Sequence, residues 1–335
     1  MIERQRQDGG SLSIRLTRRT FLAAGSSAFM ARALGAARKD AVTLRFLKEW
    51  GKKGKEPGQF DAPIGLAINA RDEILVSEFR NNRVQRFSTE GRLLSSFAVE
   101  AMPGGIAVDR GGDIYVAPMM SHKVGVYSPA GRLLREWGRH GKGDGEFDQP
   151  GGIAVVPDGT VYVADQVNRR EQRFSPEGKF LLKWGEYGTR PGQFDGKEKL
   201  PNRTGGPNFV AVDREGCVYT TEAALGRIQK FTPDGKVISW FGDNGTDPGG
   251  FGGRPKNLPG PIAVCVEKGG RLWVSSTNHR VQAFSAGGKF LGGAVVLEPG
   301  DAPGRFHTPH GLVIDSQGHL YVADSQNHRI QKFAV

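Results

Sequence analysis

Residues 309–333, PHGLVIDSQGHLYVADSQNHRIQKF, contain the pattern that decides the fold. An apolar run is followed by a Gly-containing turn, a second apolar run, a polar turn and an alternating third run. Short apolar runs bounded by turn residues are typical of β-strands. The stretch therefore predicts three consecutive strands of one antiparallel unit.

The same pattern occurs six times along the chain. The first run begins at Pro63, Pro103, Pro150, Pro207, Pro259 and Pro309, and the third run ends at Phe87, Tyr127, Phe174, Phe231, Phe284 and Phe333. A fourth short run follows in the first five units. Repeats that each supply four short strands are typical of propeller blades. We therefore predict an all-β fold, a six-bladed β-propeller of four-stranded blades.

The strand that the sixth unit lacks is found at the other end of the repeat region. Residues 42–51, VTLRFLKEWG, match residues 178–185, GKFLLKWG, which form the fourth run of the third unit. We expect residues 42–50 to pair with the last three strands and so to close the ring. Closure removes the two sheet edges that an open array would expose.

The N-terminal segment differs in composition from the repeats. Residues 1–39 contain eight Lys or Arg and two acids, which is +6 of the formal net charge of +11. The run TRRTFL at 17–22 resembles the twin-arginine export signal, and a short apolar stretch and an alanine-rich region follow it. We predict a signal peptide at 1–39, a propeller at 40–335 and a periplasmic or secreted location; a disordered basic tail is the other interpretation. We expect no transmembrane segment in the mature chain.

An acid and an arginine recur at a fixed spacing around the turn between the second and third strands. The pairs are Glu78 with Arg83, Asp165 with Arg170, Glu222 with Arg227, and Asp324 with Arg329. A charge-assisted hydrogen bond between them would tie the hairpin across its turn. In the second unit both ends change together, to Pro118 and Lys123, and the fifth unit has Ser275 and Ser276 before Arg280. Because catalytic residues are rarely copied into most blades, we interpret these residues as structural ties.

The segment 321–333 resembles the NHL repeat, and the resemblance extends from residue 42 to the end of the sequence. This family implies the propeller fold and leaves the function open, because it includes protein-binding modules, RNA-binding modules and one enzyme branch. We favour a binding or scaffold module for a protein, peptide or glycan ligand. We expect a monomer with no cofactor and no nucleic-acid partner.

The enzyme branch is the first alternative. The amidating lyases of this branch hold zinc in the central channel through histidines at Pro-His positions, and His310 matches that position. The equivalent places in the other units lie near Ile64, Gly104, Gly151, Asn208 and Gly260, so a three-histidine site is not predicted. Gluconolactonase-like propellers imply instead a calcium site, to which Glu78, Asp165, Asn208 and Glu222 could contribute. Zinc or calcium is expected only under these alternatives.

The remaining candidates concern surfaces. We take His310, Asn208 and His307 as candidate ligand-binding residues at the channel mouth, and the long connections 186–206 and 243–258 as the partner-binding loops. Under the RNA-binding alternative, a basic ring would be formed by Arg86, Arg173, Lys230 and Lys332. Cys217 and Cys265 fall on different strands of neighbouring units, so we expect two buried free thiols rather than a disulfide.

Overall fold

The apolar runs of the repeat form strands that are buried on both faces. The computed structural model describes residues 41–194, 205–252 and 260–335. The segment Val161–Asp165 (VYVAD), for example, is buried along its whole length. A continuous apolar run of this length fits a strand inside a sheet that is itself covered by other sheets. The six runs of this kind are the second strands of six four-stranded sheets.

The prediction of a six-bladed β-propeller is confirmed, because the described residues form six four-stranded antiparallel sheets. The strands, in chain order, are β1 (Arg45–Trp50); β2 (Pro63–Ile68), β3 (Ile74–Glu78), β4 (Arg83–Phe87) and β5 (Leu93–Ala98) of blade 1; β6 (Pro103–Val108), β7 (Ile114–Pro118), β8 (Val124–Tyr127) and β9 (Leu133–Trp137) of blade 2; β10 (Pro150–Val155), β11 (Val161–Asp165), β12 (Arg170–Phe174) and β13 (Phe180–Trp184) of blade 3; β14 (Pro207–Val212), β15 (Val218–Glu222), β16 (Arg227–Phe231) and β17 (Val237–Phe241) of blade 4; β18 (Pro261–Val266), β19 (Leu272–Ser276), β20 (Val281–Phe284) and β21 (Phe290–Ala294) of blade 5; and β22 (Pro309–Ile314), β23 (His319–Asp324) and β24 (Arg329–Ala334) of blade 6. A 3-10 turn at Ser325–Asn327 is the one helical element of the described segments.

The N-terminal strand closes the ring as the sequence predicts. β1 pairs antiparallel with β24, so that Phe46 faces Phe333 and Trp50 faces Ile330, and blade 6 has the strand order β1-β24-β23-β22. The pairing with blade 6 starts at Arg45. Val42 bridges instead to Gly292 of blade 5, through hydrogen bonds of 2.9 Å to the Leu291 carbonyl and 2.8 Å from the Gly293 amide. The segment therefore joins the last two blades as well as sealing the ring.

The first strand of each blade, here called the inner strand, packs against the inner strands of both neighbouring blades. Glycine permits this close approach. A Cβ at Gly105 would lie 2.6 Å from the Gly151 carbonyl oxygen, and a Cβ at Gly152 would lie 2.4 Å from the Phe209 Cα. Contacts this short are not tolerated, so glycine at these two positions sets the diameter of the central channel.

The hydrophobic core lies between adjacent blades. Where blade 6 meets blade 1, Tyr321 and Ile330 pack with Leu66 and Val76, and Trp50 of β1 covers the cluster. Equivalent clusters occur between the other blades. Burial of apolar area at about 25 cal/mol per Å² makes these clusters the main source of stability, and removing one blade would expose two of them.

A side chain in the turn between the second and third strands, here called the hairpin turn, latches each of four blades to the next. Asn82, His122, His279 and His328 adopt left-handed backbone conformations in these turns. Their side chains accept hydrogen bonds from the backbone amides of the residues that precede the next inner strand: Met102, Gln149, Thr308 and Ala62. Each of these histidines accepts through Nδ1, so the latch requires a neutral imidazole.

Two further expectations concern the cysteines and membrane-spanning segments. Cys217 and Cys265 are unpaired and half-buried, and burial raises the pKa of the Cys265 thiol. In the described segments no helix reaches the length and apolarity that crossing a bilayer requires. The predicted signal peptide, 1–39, lies outside the described residues and stays a prediction.

Candidate functional site

The central channel opens into a cavity of about 330 Å³ on the face that carries the hairpin turns. Two rings of six residues line it, with one residue from each blade in each ring. The inner-strand ring consists of Ile64, Gly104, Gly151, Asn208, Ile262 and His310, and the turn ring consists of Phe79, Met119, Gln166, Ala223, Thr277 and Ser325. The inner-strand ring holds the second residue of every inner strand, and the turn ring holds the residue that follows every second strand.

The wall of this cavity is mainly apolar. Ile64, Phe79, Met119, Phe209 and Ile262 contribute large apolar side chains, while glycines keep the space open on blades 2 and 3. The lining among the described residues includes no carboxylate and a single histidine. A cavity of this size, with few polar groups in an apolar wall, is typical of a site that takes an apolar ligand group and orients it with one or two hydrogen bonds.

His310 is the titratable polar group that projects into the cavity from blade 6. Its Nδ1 has no hydrogen-bond partner within the described structure. Burial lowers the pKa of His310 to about 4, so the ring is neutral at physiological pH. Its backbone carbonyl accepts a hydrogen bond of 2.6 Å from Ser275 Oγ, which fixes the inner strand that carries the ring. The neutral imidazole forms part of the cavity wall, and its buried Nδ1 meets a ligand only if the ring turns toward the cavity.

Asn208 provides a polar group on blade 4, two blades away from His310. Its Nδ2 donates to the Pro261 carbonyl at 3.3 Å, and its Oδ1 accepts from Gln166 Nε2 at 3.4 Å. These long hydrogen bonds are weak, and a ligand could replace them at small cost. His310 and Asn208 are therefore two polar members of the inner-strand ring, separated by Ile262 of blade 5.

Two sequence-based placements differ from the structure. His307 does not line the cavity, because Thr308 turns the backbone with a φ of 55° and the His307 ring packs on His279 with 5.4 Å between centroids. In blade 5 the inner strand begins at Pro261, which pairs with Ser276, so Ile262 rather than Gly260 occupies the inner-strand ring. Pro259 and Pro261 both fit the sequence pattern, and the strand pairing decides between them.

The recurring acids lie behind the cavity wall, bound to their arginines. The Nε atoms of Arg83, Arg170, Arg227 and Arg329 lie 2.6–2.9 Å from the carboxylates of Glu78, Asp165, Glu222 and Asp324. All four acids have no exposed side-chain surface and none lines the cavity. They are thus in no position to form a calcium site with Asn208, since their oxygens already serve the hairpin.

Each tie also holds the loop that leads into the inner strand, here called the leading loop. In blade 1 the Arg83 guanidinium donates to the Lys55, Glu56 and Gln59 carbonyls at 2.6–3.1 Å, and Glu78 accepts from the Asp61 amide. A glutamine two residues after each of these arginines also donates to the acid. The sequence shows the hairpin pair, but it does not show that the pair organises a loop about 25 residues earlier.

This second role accounts for the unit that lacks the tie. Blade 2 is reached by a short connection, residues 99–102, and has no leading loop to hold. Pro118, Lys123 and Gly125 stand there in place of the acid, the arginine and the glutamine, and Lys123 pairs with Glu136 at 2.7 Å. In blade 5 the acid is absent and Arg280 still binds the leading-loop carbonyls of Thr246 and Asp247. The hairpin arginine is thus present in the blades that have a leading loop, whether or not the acid is present.

The candidate basic ring is largely withdrawn from solvent. Lys230 and Lys332 lie 5.0 and 5.5 Å from the ring centroids of Tyr219 and Tyr321, and their side chains are 14% and 9% exposed. Arg173 lies 5.8 Å from the Tyr162 ring. These three cations pack on aromatic faces of the neighbouring strand, which reduces the charge that they present to solvent.

The two candidate partner-binding loops are described only in part. Residues 195–204 of the connection 186–206 and residues 253–258 of the connection 243–258 lie outside the described residues. None of their described residues is among those that line the cavity, although Asn208 of the lining lies two residues beyond the end of the first connection.

Comparison with known proteins identifies the repeat. The family model of the NHL repeat matches residues 60–87, 147–174 and 306–333, which belong to blades 1, 3 and 6. Each match covers a leading-loop phenylalanine and the first three strands of a blade.

The relatives and structural neighbours include enzymes. Over 133 residues the chain is 31% identical to peptidyl-glycine alpha-amidating monooxygenase B of Xenopus laevis, which covers 38% of this chain and 15% of that protein. A virginiamycin B lyase from Staphylococcus aureus superposes with a TM-score of 0.56 at 14% identity, covering 86% of this chain and 98% of the lyase. A gluconolactonase from Xanthomonas campestris superposes with a TM-score of 0.59 at 18% identity, covering 88% and 99%. At these identities the superpositions show the fold alone, and the chain spans about a seventh of the amidating enzyme.

Proposed function

Because the chain is an NHL-repeat β-propeller, we propose that it is a binding module that takes an apolar side chain of a protein or peptide ligand into its central cavity. The observation that carries this proposal is the apolar cavity of about 330 Å³ with His310 and Asn208 as its polar contacts. The peptide backbone beside an inserted side chain offers both N–H and C=O groups, which the His310 imidazole, after a ring rotation, and the Asn208 amide can bind.

The same wall disfavours a glycan. Sugar hydroxyl groups need many donors and acceptors, and each polar group buried without a partner costs about 1–3 kcal/mol. Most of the exposed cavity wall is apolar, although Arg80, Gln166, Thr277, Thr308, Ser325 and Gln326 line it together with His310 and Asn208. A peptide with an aliphatic or aromatic residue therefore fits better than a carbohydrate.

The test uses a matched pair of substitutions. Ile64→Glu places a carboxylate in the cavity, and Ile238→Glu makes the same change on the outer strand β17, where Ile238 is 48% exposed. Peptides selected on the immobilised chain from a displayed library should lose at least tenfold in affinity for Ile64→Glu and keep it for Ile238→Glu. Equal binding by the two variants would reject the cavity as the site.

A metal-dependent lyase or hydrolase is the second candidate, which the names of the relatives suggest. It would require a catalytic metal in the channel, and zinc in such sites has three protein ligands. The described lining offers His310 alone as a nitrogen or carboxylate ligand. Under the binding proposal, His310→Ala leaves the metal content of the purified chain unchanged. A loss of bound metal in this variant would favour the enzyme.

We also propose, from the sequence of residues 17–37, that the chain is exported by the twin-arginine route. This route carries folded proteins, and a ring sealed by β1 and β24 must be complete before all six blades are stable. The module would then meet its partner in the periplasm or outside the cell.

A further inference from the structure

Three metal-ligating side chains meet where blade 2 adjoins blade 3, away from the cavity lining. His122 lies in the β7–β8 hairpin turn, and His140 and Asp148 lie in the leading loop of blade 3. One nitrogen of each imidazole and one carboxylate oxygen lie within 4.8 Å of one another. His122 Nδ1 is 3.7 Å from Asp148 Oδ1, and His140 Nε2 is 3.7 Å from Asp148 Oδ2.

These distances approach those of a bound zinc ion. Two ligands of a tetrahedral zinc ion with bonds of about 2.0–2.1 Å lie about 3.4 Å apart. The imidazole centroids are 4.5 Å apart and the ring planes make an angle of 61°, so the two rings do not stack and can converge on one ion. The three ligand atoms, which lie within 4.8 Å of one another, would have to draw closer together around an ion.

The backbone around these ligands is held firmly. Phe147, between His140 and Asp148, is fully buried, and its amide and carbonyl bond to the Arg139 carbonyl and the Gly141 amide at 2.8 and 3.1 Å. The Asp148 amide donates to Asp165 Oδ1 at 2.8 Å. The tie network of blade 3 therefore holds the loop in place, and the three side chains are positioned without a bound ion.

The ligands differ in exposure in a way that suits an open metal site. The side chains of His122 and Asp148 are 18% and 17% exposed, whereas that of His140 is 68% exposed. Two ligands are therefore fixed at the base, one can close from the solvent side, and a fourth position remains for water. His122 Nδ1 accepts a hydrogen bond of 3.2 Å from the Gln149 amide, and coordination through that nitrogen exchanges this hydrogen bond for a metal bond.

The repeat provides an internal comparison. The same three positions hold His328, Lys53 and Asp61 where blade 6 meets blade 1, with His328 Nδ1 3.8 Å from Asp61 Oδ1. A lysine there occupies the place of His140, so that junction already accommodates a cation beside its histidine and aspartate. Among the junctions at which all three equivalent positions are described, metal-ligating side chains occupy all three only between blades 2 and 3.

We propose that His122, His140 and Asp148 form a zinc site at the junction of blades 2 and 3, with a fourth position open to water. Two imidazoles and one carboxylate suit zinc better than calcium or magnesium, which prefer oxygen ligands. The site is separate from the cavity and does not depend on the proposed peptide binding. A bound ion joins the hairpin turn of one blade to the leading loop of the next and would replace the latch at Gln149.

The direct test is a calorimetric titration of the untagged full chain with zinc chloride after dialysis against a chelator. We expect one zinc ion per chain, with affinity lowered at least tenfold by His140→Ala and by Asp148→Asn. His140 is exposed and makes no other side-chain contact in the described structure that the fold needs, and a circular dichroism melt checks that its variant folds. The control is His319→Ala, which removes an imidazole paired with Asp315 at 2.9 Å elsewhere on the ring. A zinc affinity that is unchanged in His140→Ala, or that falls tenfold in His319→Ala, would overturn the assignment.

A gain of binding tests the geometry itself. Lys53→His gives the junction of blades 6 and 1 the same three ligand types, with His328 and Asp61. The variant should bind a second zinc ion, and in the His140→Ala background it should bind one zinc ion more tightly than the His140→Ala parent does. A stoichiometry that stays unchanged on Lys53→His would show that the junction geometry does not create a site.

Discussion

A buried carboxyl group between blades 3 and 4 makes the stability of the ring depend on pH. Glu171 has no exposed surface; its Oε1 accepts from Thr220 Oγ1 at 3.0 Å, and its Oε2 has no partner within the described structure. Burial, with a smaller contribution from the Asp165 charge, raises the pKa of Glu171 from 4.5 to about 8. The group is therefore protonated in the folded protein at neutral pH.

The sign and size of the effect follow from proton linkage. Between pH 4.5 and 8 the unfolded chain releases this proton and the folded chain keeps it, so the free energy of unfolding falls as the pH rises. The loss is about 1.4 kcal/mol per pH unit in this window, or about 3 kcal/mol at pH 7, and it levels off above the folded-state pKa. Below pH 4.5 Glu171 no longer lowers the free energy of unfolding, because it is protonated in both the folded and the unfolded chain.

Glu171→Gln removes the ionisation and keeps the shape of the side chain. Urea unfolding at pH 5, 6, 7 and 8, followed by tryptophan fluorescence, should show the variant gaining stability over the wild type by about 1.4 kcal/mol per pH unit. An unpaired amide NH2 adds a constant offset, so the slope of the difference is the measured quantity. Glu215→Gln, at an exposed turn, is the control for removing a carboxylate. Parallel profiles of wild type and Glu171→Gln would refute the buried, protonated state.

A double variant extends the same argument to packing. At the other five junctions the two equivalent positions are both apolar, as with Val124 and Val163 or Ile228 and Val274. The double variant Glu171→Ile with Thr220→Val introduces such an apolar pair. We expect the double variant to be more stable than the wild type at pH 7, and its free energy of unfolding to lose the pH dependence that Glu171 causes.

Two further results are expected. Asp165→Ala leaves the Arg170 side chain, which is 7% exposed, without its carboxylate, and should lower the free energy of unfolding by about 3–5 kcal/mol in urea titrations. Lys123→Ala at the equivalent hairpin of blade 2 is the control: the pair with Glu136 is screened by water, so this substitution should lower the free energy of unfolding by less than about 1 kcal/mol. Equal losses in the two variants would contradict the structural role of the tie. Arg18→Lys combined with Arg19→Lys should retain the chain in the cytoplasm in cell fractionation, and export at the wild-type level would reject the signal prediction.

The fold could be predicted from the sequence because its information is local and repeated. Each blade is encoded by short apolar runs and turn residues, and the match of residues 42–51 to residues 178–185 was enough to place the closing strand. The errors arise where the local pattern is ambiguous. Pro259 and Pro261 both resemble the start of an inner strand, and His307 is close to His310 in sequence but separated from it by the left-handed turn at Thr308.

The sites between blades could not be predicted in the same way. His122 and His140 belong to different repeat units, and nothing in the spacing along one unit shows that a hairpin turn contacts the next leading loop. The turn ring of the cavity was missed for a related reason, although it has a simple signal: its members, from Phe79 to Ser325, all follow the last residue of a second strand. Aligning the loops between units, rather than the strands, would have found both.

The repeat itself separates residues that build the ring from residues that serve another purpose. A side chain that recurs at one position in most blades, such as the arginine of the tie, is explained by the contacts it makes in each of them. His310 and Glu171 depart from their equivalents, and each leaves a buried polar atom without a partner in the described structure. Such an atom costs about 1–3 kcal/mol, and an apolar residue of similar size would avoid this cost. The His310 ring lines the cavity, where a rotation of the ring would let a ligand satisfy its buried, unpaired nitrogen. Glu171 faces another blade, so a stability gain in its double variant would mean that the junction of blades 3 and 4 has a role that folding does not require.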